Sequence, residues 1–178
     1  MKRQIPIHQG EAMKNSFKIA SIGQTDLPAC LETIQKAFAV NCERFGFTKE
    51  NYPSCAAFLT LDELIAEKAS GTHLYGAWVD GMLVGCVQLQ KDFKGGEKVY
   101  HFRRFAVLPA CQHGGIGKAL VAHCRDRAAT YGGTKMRLLM VYENEPLRTF
   151  YEACDFKLVK TCRDDAHPFL CGIYEMDL

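Results

Sequence analysis

The chain lacks several features that mark proteins of other classes. No apolar run approaches the roughly 18 residues that a membrane-spanning helix needs, and the first thirteen residues, M-K-R-Q-I-P-I-H-Q-G-E-A-M, lack the apolar core of a signal peptide. The net charge is only +2 and no basic run is present, which argues against a nucleic-acid-binding or membrane-surface protein. We therefore expect a cytoplasmic protein with no nucleic-acid or membrane partner.

The nine cysteines form no C-x-x-C pair, and most of them lie in apolar runs. An odd number also fits poorly with a secreted disulfide framework, so we expect reduced, mostly buried thiols. The local pairs Cys111-x-His113 and His123-Cys124 do not have the spacing of zinc ligands. The sequence therefore predicts no metal site.

With 178 residues, 48% of them hydrophobic and 24% charged, the chain is long enough for one domain with a sizeable core. No repeat or low-complexity linker divides it. We expect residues 1–16 to form a tail, since Met13 offers an alternative start, and residues 17–178 to form a single domain.

The most informative segment runs from Val107 to Leu120, V-L-P-A-C-Q-H-G-G-I-G-K-A-L, and puts a glycine-rich turn between a strand and a helix. The strand is the β-prone run Val99 to Val107, and the helix ends at Gly132-Gly133. Its apolar residues recur at helical spacing, at Ile116, Leu120, Cys124, Ala128 and Tyr131. Free N–H groups and the dipole at a helix N-terminus favour an anion by about 0.3–2 kcal/mol. The turn therefore predicts a phosphate site.

Three known phosphate-binding patterns can be compared with this turn. A Walker A loop, G-x-x-x-x-G-K-S/T, fails because Gln112 and Ala119 stand where it needs Gly and Ser or Thr. A Rossmann G-x-G-x-x-G motif fits poorly because its third small position is Leu120. The pattern Q/R-x-x-G-x-G/A is matched by Gln112, Gly115 and Gly117. The segment thus resembles the acetyl-CoA-binding motif of the GNAT superfamily of N-acetyltransferases.

A second segment resembles the other signature of that family. The predicted strand Met136 to Tyr142 runs into N-E-P-L-R-T-F-Y-E-A-C-D-F, which places Asn144 and Tyr151 at the family positions. Asp155 replaces the usual glycine, but Asp tolerates a left-handed backbone, and Leu147 replaces a residue that is usually small. Taken without the family, Asn144 is equally a helix cap and Tyr151 equally a core tyrosine.

The resemblance implies an α/β, GNAT-like acyl-CoA N-acyltransferase fold with a mixed central sheet of about six to seven strands flanked by about four helices. The expected order is β-α-α-β-β-β-α-β-α-β-β. Local signals along the chain agree with this order. They are the strand Phe17 to Ile22, a helix opened by Asp26, a capping box at Thr60-Leu61-Asp62-Glu63, a hairpin turn at Asp80-Gly81, a turn at Lys94 to Glu97, and final strands at Phe156 to Thr161 and Leu170 to Met176.

The resemblance also implies the activity, namely transfer of an acetyl group from acetyl-CoA, as co-substrate, to a primary amine of a small molecule or peptide by direct attack in a ternary complex. In that reaction the backbone N–H of Val107 stabilises the carbonyl oxygen, and Tyr151 assists the leaving thiolate. Lys118 contacts phosphate or is a solvated helix residue. The full set implied to bind the co-substrate is Phe105, Ala106, Val107, Gln112, His113, Gly114, Gly115, Ile116, Gly117, Lys118, Asn144 and Tyr151.

The general base is left open by the sequence. Many relatives carry a glutamate four residues before the position of Val107, where this chain has Arg103, and arginine cannot accept a proton at neutral pH. The proton leaves through ordered water or through another group, for which Glu43, Asp164 and His167 are candidates. Asp164-Asp165 would attract a cationic amine, while the aromatic residues Phe45, Phe47 and Tyr52 either line an apolar wall or are packing residues.

The missing glutamate keeps a second hypothesis open, a non-catalytic acyl-CoA-binding or regulatory domain with the same fold. The sequence does not identify the acceptor, because family members share the co-substrate half and differ in the acceptor half. It also leaves the oligomeric state open, with a homodimer among the alternatives.

Overall fold

The computed structural model of the protein describes residues 16–93 and 95–178. The predicted tail up to Asn15, with Met13, and Lys94 of the predicted turn lie outside the described residues. The helices and strands are β1 Lys18–Ser21, α1 Leu27–Phe45, α2 Leu61–Ala69, β2 His73–Val79, β3 Met82–Asp92, β4 Val99–Val107, α3 Ile116–Thr130, β5 Lys135–Val141, α4 Glu145–Glu152, β6 Lys157–Cys162 and β7 Cys171–Asp177. The predicted α/β class and order of elements are confirmed, with seven strands and four α-helices among the described residues.

Local sequence signals explain where several elements begin and end. Thr60 caps α2 through the predicted box, since its Oγ1 accepts from the Glu63 N–H at 3.3 Å while the Glu63 carboxylate accepts from the Thr60 N–H at 2.8 Å. Asp80 and Gly81 both have positive φ, 49° and 79°, as a tight two-residue hairpin turn requires. Within residues 16–93 and 95–178, no helix combines the length and the apolar character that crossing a bilayer demands.

The seven strands form one mixed sheet in the order β1-β2-β3-β4-β5-β7-β6. Only β4 and β5 are parallel, and their ladder has three residue pairs, which end at His101 and Arg137. β4 nevertheless continues to Val107 and β5 to Val141, where β5 still pairs with Cys171 of β7. The two strands therefore separate beyond His101, and a wedge-shaped gap opens in the middle of the sheet.

Helices cover both faces of the sheet. α1 and α2 pack on one face, where Leu27, Ile34 and Leu64 meet Leu74, Leu83, Cys86 and Ala106 of the strands. On the other face α3 contributes the predicted apolar stripe, of which Ile116, Leu120, Cys124 and Ala128 are buried. Tyr151 of α4 belongs to this second core. Burial of these stripes provides the hydrophobic stabilisation of both layers.

A bulge interrupts β4 just before the gap widens. Ala106 lies opposite Cys86 and Arg103 opposite Gln88, so Arg104 and Phe105 together face Val87 alone. Arg104 has a φ of +48°, a left-handed conformation that a non-glycine residue rarely adopts. Such a bulge bends the strand and increases its twist. It therefore changes the direction in which the end of β4 runs. No local sequence signal predicts this bulge.

An ion pair from α2 holds the bulge in place. The Arg104 guanidinium donates two hydrogen bonds to the Glu67 carboxylate, one of them from Nε to Oε2 at 3.0 Å, and the two side chains are 12% and 27% exposed. The buried Gln88 amide also donates to Glu67, at 2.5 Å. Burial alone would raise the pKa of Glu67, but the hydrogen bonds from Arg104 and Gln88 hold it below its ordinary value. This pair supports the strained Arg104 backbone.

We predict that Glu67→Gln lowers the free energy of unfolding by about 1–3 kcal/mol at pH 7, because two partly buried donors then lose a charged acceptor. The folded-state pKa of Glu67 is lowered, so its contribution is present above the ordinary glutamate pKa of about 4.3 and is lost as the pH falls below it. Urea unfolding at pH 7 and pH 3.5 should show that the deficit shrinks at low pH. Asp62→Asn, an exposed change on the same helix, is the control, and an equal loss in both variants would contradict the prediction.

Candidate active site

The gap between β4 and β5 contains a cavity of about 560 Å³. One wall is the end of β4, from Phe102 to Phe105, and the opposite wall is the end of β5, from Leu138 to Val141. The loop after α1 contributes Phe47 and Tyr52, and the α4 region contributes further side chains. A cleft of this size holds a small ligand or the arm of a larger one.

The main chain of Val107 points into this gap. Leu108 donates its N–H to the Val84 carbonyl at 2.9 Å, and in an antiparallel ladder bonded positions alternate. The neighbouring Val107, opposite Gly85, therefore directs its own N–H and C=O away from β3. Gln112 confirms this orientation, because its Nε2 donates to the Val107 carbonyl at 3.2 Å. The Val107 N–H is thus a fixed donor at the edge of the gap.

The other two predicted residues of β4 differ in exposure. The Phe105 ring lines the cavity and stacks on Phe150 at 5.6 Å between centroids. Ala106 is only 2% exposed, packs toward α1 and pairs with Cys86 of β3. The Phe105 side chain therefore faces the gap, whereas the side chains of Ala106 and Val107 face the two cores and only the main chain of Val107 is directed at the gap.

The glycine turn presents consecutive backbone N–H groups at the start of α3. Gln112 still donates to the Pro109 carbonyl, and the first helical bond runs from the Ala119 N–H to the Gly115 carbonyl. The amides between these two donors lie at the N-terminus of a 15-residue helix, where the first four N–H groups have no intrahelical acceptor. The side chains of Gln112, His113 and Lys118 are exposed there. The turn therefore offers donors and positive potential to an anion.

Glycine is required at two positions of the turn for different structural reasons. Gly115 has a φ of +84°, and a Cβ placed on it would meet no atom within 4 Å, so it is required by backbone conformation. Gly117 has an ordinary φ, but its Cβ would lie 3.2 Å from both the Phe105 and Phe150 rings. Gly117 therefore lets α3 approach the aromatic wall of the cavity. His113, with a φ of +65°, shows that the turn is tightly wound.

Asn144 is buried, and it reaches across to α1. Its Oδ1 accepts from Arg44 Nη1 at 3.2 Å, and its Nδ2 lies 3.5 Å from Asn41 Oδ1. The side chain makes no capping hydrogen bond to α4, so the capping alternative is not what the structure shows. Asn144 lines the cavity and joins the end of β5 to α1.

Tyr151 is 5% exposed and also lines the cavity. Its ring packs against Phe102, Phe105, Phe150 and Phe156, with centroids 5.4–6.2 Å apart. Burial in this aromatic cluster raises the pKa of Tyr151 well above its ordinary value, and the nearby Cys154 adds to the effect. The hydroxyl is therefore a neutral donor near the cavity at physiological pH.

Two histidine–aspartate pairs lie at the cavity. His101 Nε2 is 3.1 Å from Asp92 Oδ2, and His167 Nδ1 is 2.8 Å from Asp164 Oδ1. Both imidazoles line the cavity. Of the predicted candidates, His167 therefore reaches it, exposed Asp164 stands behind His167, and Glu43 is exposed on α1 outside the cavity wall.

His101 and Asp92 are not among the site residues predicted from the sequence. Tyr100 and Phe102 belong to the core under α3, and side chains alternate along a strand, so His101 and Arg103 share the opposite face. Arg103 donates to the Gln90 amide oxygen at 2.6 Å on that face. The period-two pattern of β4 was the available signal, but the partner Asp92 depends on the register with β3.

The predicted aromatic wall is present in part. Phe47 and Tyr52 line the cavity and contact Phe169, with centroids 5.3 and 5.4 Å apart. Phe45 stacks on Phe47 but does not line the cavity. This wall comes from the loop after α1 and from the loop before β7, so two segments distant in sequence enclose one side.

Comparisons with known proteins identify the family and the fold of this chain. A model of the acetyltransferase (GNAT) family matches residues 34–156, whereas no curated protein matches the sequence.

Several solved structures share the fold. They include the PaiA N-acetyltransferase from Thermoplasma acidophilum in complex with coenzyme A, with a TM-score of 0.73 and 19% identity over 92% of this chain and 99% of that one. The ribosomal-protein-S18-alanine N-acetyltransferase from Escherichia coli has a TM-score of 0.70 and 18% identity over 91% and 94%. The ribosomal-protein-alanine N-acetyltransferase from Brucella melitensis has a TM-score of 0.72 and 17% identity over 90% and 99%. Because the family model covers more than half of this chain, the chain belongs to the GNAT family of acetyltransferases.

Proposed function

We propose that this protein transfers an acetyl group from acetyl-CoA to a primary amine of a small molecule or peptide by direct attack in a ternary complex. The observation that carries the proposal is the continuity of β4 with the glycine turn. The strand whose edge opens into the cavity leads directly to exposed amides at a helix N-terminus. In this arrangement the thioester arm of acetyl-CoA lies in the gap, and its diphosphate lies on the glycine turn. A relative of the same fold was crystallised in complex with coenzyme A, which supports this choice.

Each predicted binding residue has a role in this proposal. The amides of His113, Gly114, Gly115, Ile116 and Gly117 hold the diphosphate, and Lys118 adds positive charge. The Phe105 ring, the Val107 main chain and the Asn144 side chain face the arm, and Ala106 pairs β4 with β3. Gln112 joins the turn to the Val107 carbonyl, and Tyr151 assists the leaving thiolate. We further propose that residues 17–178 act as one catalytic domain, since one sheet includes the strands from Lys18 to Asp177.

We predict that Gly115→Glu weakens acetyl-CoA binding by at least about 100-fold, because a carboxylate and a strained backbone then occupy the anion site. Isothermal calorimetry with CoA measures the loss. Gly132→Glu is the matched control, because Gly132 also has a positive φ, 79°, and open space around it, but it lies at the other end of α3. Equal affinity in both variants would move the diphosphate site elsewhere.

The first chemical requirement is a neutral amine. An alkylamine with a pKa of about 10.4 is almost entirely protonated at pH 7, and deprotonation there costs roughly 4–5 kcal/mol. We propose that His101 accepts this proton through water in the cavity, since His101 lies six residues before Val107 along β4. It lies where β4 and β5 begin to separate, lines the cavity, and is oriented by Asp92. An imidazole held by a carboxylate is a common general base.

We predict that His101→Gln lowers kcat about 100-fold or more near pH 7, and that the deficit shrinks toward pH 10, where a much larger fraction of the free amine is already neutral. The groups facing His101 are Asp92, Gln90 and Arg137 on the adjacent strands and Arg103 on its own strand, and the substitution retains all of them. The measurement is a pH profile of kcat with one accepted amine. His167→Gln at the other cavity histidine is the comparison. If only that variant showed the pH-dependent loss, the assignment of His101 would be wrong.

The second requirement is stabilisation of charge on the thioester. As the amine attacks, the carbonyl oxygen becomes negative, and the fixed Val107 N–H at the dry edge of the gap stabilises it. The leaving thiolate then needs a donor. Tyr151 supplies a neutral hydroxyl, and because its pKa is raised by burial, it acts chiefly by hydrogen bonding to the thiolate.

We predict that Tyr151→Phe lowers kcat about 100-fold while the KM for acetyl-CoA changes little, since the ring packing is kept and only the donor is lost. Steady-state kinetics provide both constants. Tyr174→Phe makes the same change at a buried tyrosine that does not line the cavity, and it should leave kcat unchanged. A Tyr151→Phe variant with normal turnover would remove Tyr151 from the mechanism.

The decisive experiment for the function is a panel of amines and peptides incubated with acetyl-CoA, with products detected by mass. Mass detection is needed because the nine protein thiols would interfere with a colorimetric assay of released CoA. We expect one or more acetylated amines. Tight acetyl-CoA binding without any product would favour the non-catalytic acyl-CoA-binding domain instead.

A further inference from the structure

Three metal-binding groups converge at the open end of the β6–β7 hairpin. Cys162 ends β6, Cys171 begins β7, and Asp164 follows two residues after Cys162. The two cysteines face each other across the ladder. The two sulfur atoms and a carboxylate oxygen of Asp164 all lie within 4.8 Å of one another. Residues far from C-x-x-C spacing are thus brought together by strand register.

The Asp164 carboxylate is oriented toward the thiols. Its Oδ1 accepts from the Ala166 N–H at 2.9 Å and contacts His167 Nδ1 at 2.8 Å. Its Oδ2 lies 4.0 Å from Cys171 Sγ. The backbone amide and the imidazole therefore occupy one oxygen and leave the other facing the sulfur atoms. This is the arrangement by which outer groups orient a metal-binding carboxylate.

One side of the cluster is buried among apolar side chains, and the other side is exposed to solvent. Cys171 is fully buried against Phe47 and Phe169, Cys162 is half-buried, and Asp164 is exposed. Among the described residues, the only ion pair of Asp164 is with His167, and no lysine or arginine neutralises the carboxylate. A cation can therefore enter from solvent and reach three donors.

We propose that Cys162, Asp164 and Cys171 bind one Zn²⁺ ion, with water in the fourth position. Bonds of about 2.3 Å to sulfur and about 2.0–2.2 Å to oxygen place tetrahedral ligands about 3.6–3.8 Å apart. The Cys171–Asp164 distance of 4.0 Å needs to close by only a few tenths of an ångström. Thiolate ligands select zinc over Mg²⁺ or Ca²⁺, which prefer oxygen. On binding, both S–H bonds break and two protons pass to solvent.

The site goes beyond acetyl transfer and does not depend on it. Residues 163–170 join the two cysteines, and this loop carries His167 and Phe169, which contact Tyr52 at the cavity wall. A bound metal would tie the start of the loop, at Cys162 and Asp164, to its end at Cys171. The metal would thereby stiffen one wall of the acceptor side without touching the reacting atoms.

The test is titration of metal-free, reduced protein with Zn²⁺ in competition with a chromophoric chelator, followed by Co²⁺ as a spectroscopic probe. We expect one equivalent of Zn²⁺ per chain, release of two protons, and a thiolate-to-Co²⁺ charge-transfer band. Cys162→Ser, at the less buried thiol, should abolish the band and weaken Zn²⁺ binding at least about 100-fold, and Asp164→Asn should weaken it by at least about 10-fold.

The matched control is Cys42→Ser. Cys42 and Cys55 form another close thiol pair, with their sulfur atoms 3.6 Å apart, but no third ligand joins them among the described residues. This variant should bind Zn²⁺ normally. The proposal is overturned if the protein takes up no Zn²⁺ or if Cys162→Ser binds it unchanged. Circular dichroism checks that each variant is folded.

Discussion

The early end of the β4–β5 ladder is the constraint on which the rest of the site depends. Buried main-chain N–H and C=O groups need hydrogen-bond partners, and β4 beyond His101 has a neighbouring strand on only one side. Its other edge, including Val107, is therefore directed at a cavity. A ligand whose polar groups follow the strand can replace the missing neighbour. The sheet thus creates a binding site by leaving one pairing incomplete.

Contacts around β4 shape the gap and connect the open edge of the strand with the glycine turn that follows it. The Arg104–Glu67 pair holds the strand in its bulged form, while Gly117 lets α3 lie against the Phe105–Phe150 stack. The Gln112 side chain then fastens the turn to the last carbonyl of the strand. The anion-binding turn and the donor at the strand edge are consequently parts of one packed unit. Their separation is set by backbone and ring contacts, which pre-organises both for a single long ligand.

Much of this could be predicted from the sequence because the signals are local. The Asp80-Gly81 turn, the Thr60 capping box and the glycines before Ile116 each depend on residues within a few positions of one another, and the structure shows all of them. The bulge at Arg104, the short β4–β5 ladder and the His101–Asp92 contact depend on strand register. A tight turn fixes the register of its own hairpin, but β4 and β5 are separated by a helix and the bulge shifts the β3–β4 register, so neighbouring residues do not reveal these pairings. The Asn144 side chain is a similar case, because its partners on α1 are about 100 residues away in sequence.

The Asn144 contacts have a mechanical consequence. Only three residue pairs join β5, β7 and β6 to the rest of the sheet at the narrow end of the gap, whereas β3 and β4 share seven. At the wide end, Asn144 reaches Asn41 and Arg44 of α1, and Phe169 packs against Phe47 and Tyr52 of the loop after α1. Two side-chain bonds of about 0.5–1.5 kcal/mol each are cheaper to break than a strand ladder. The wide end of the gap is therefore held by side-chain contacts, whereas its narrow end at His101 and Arg137 is held by a strand ladder.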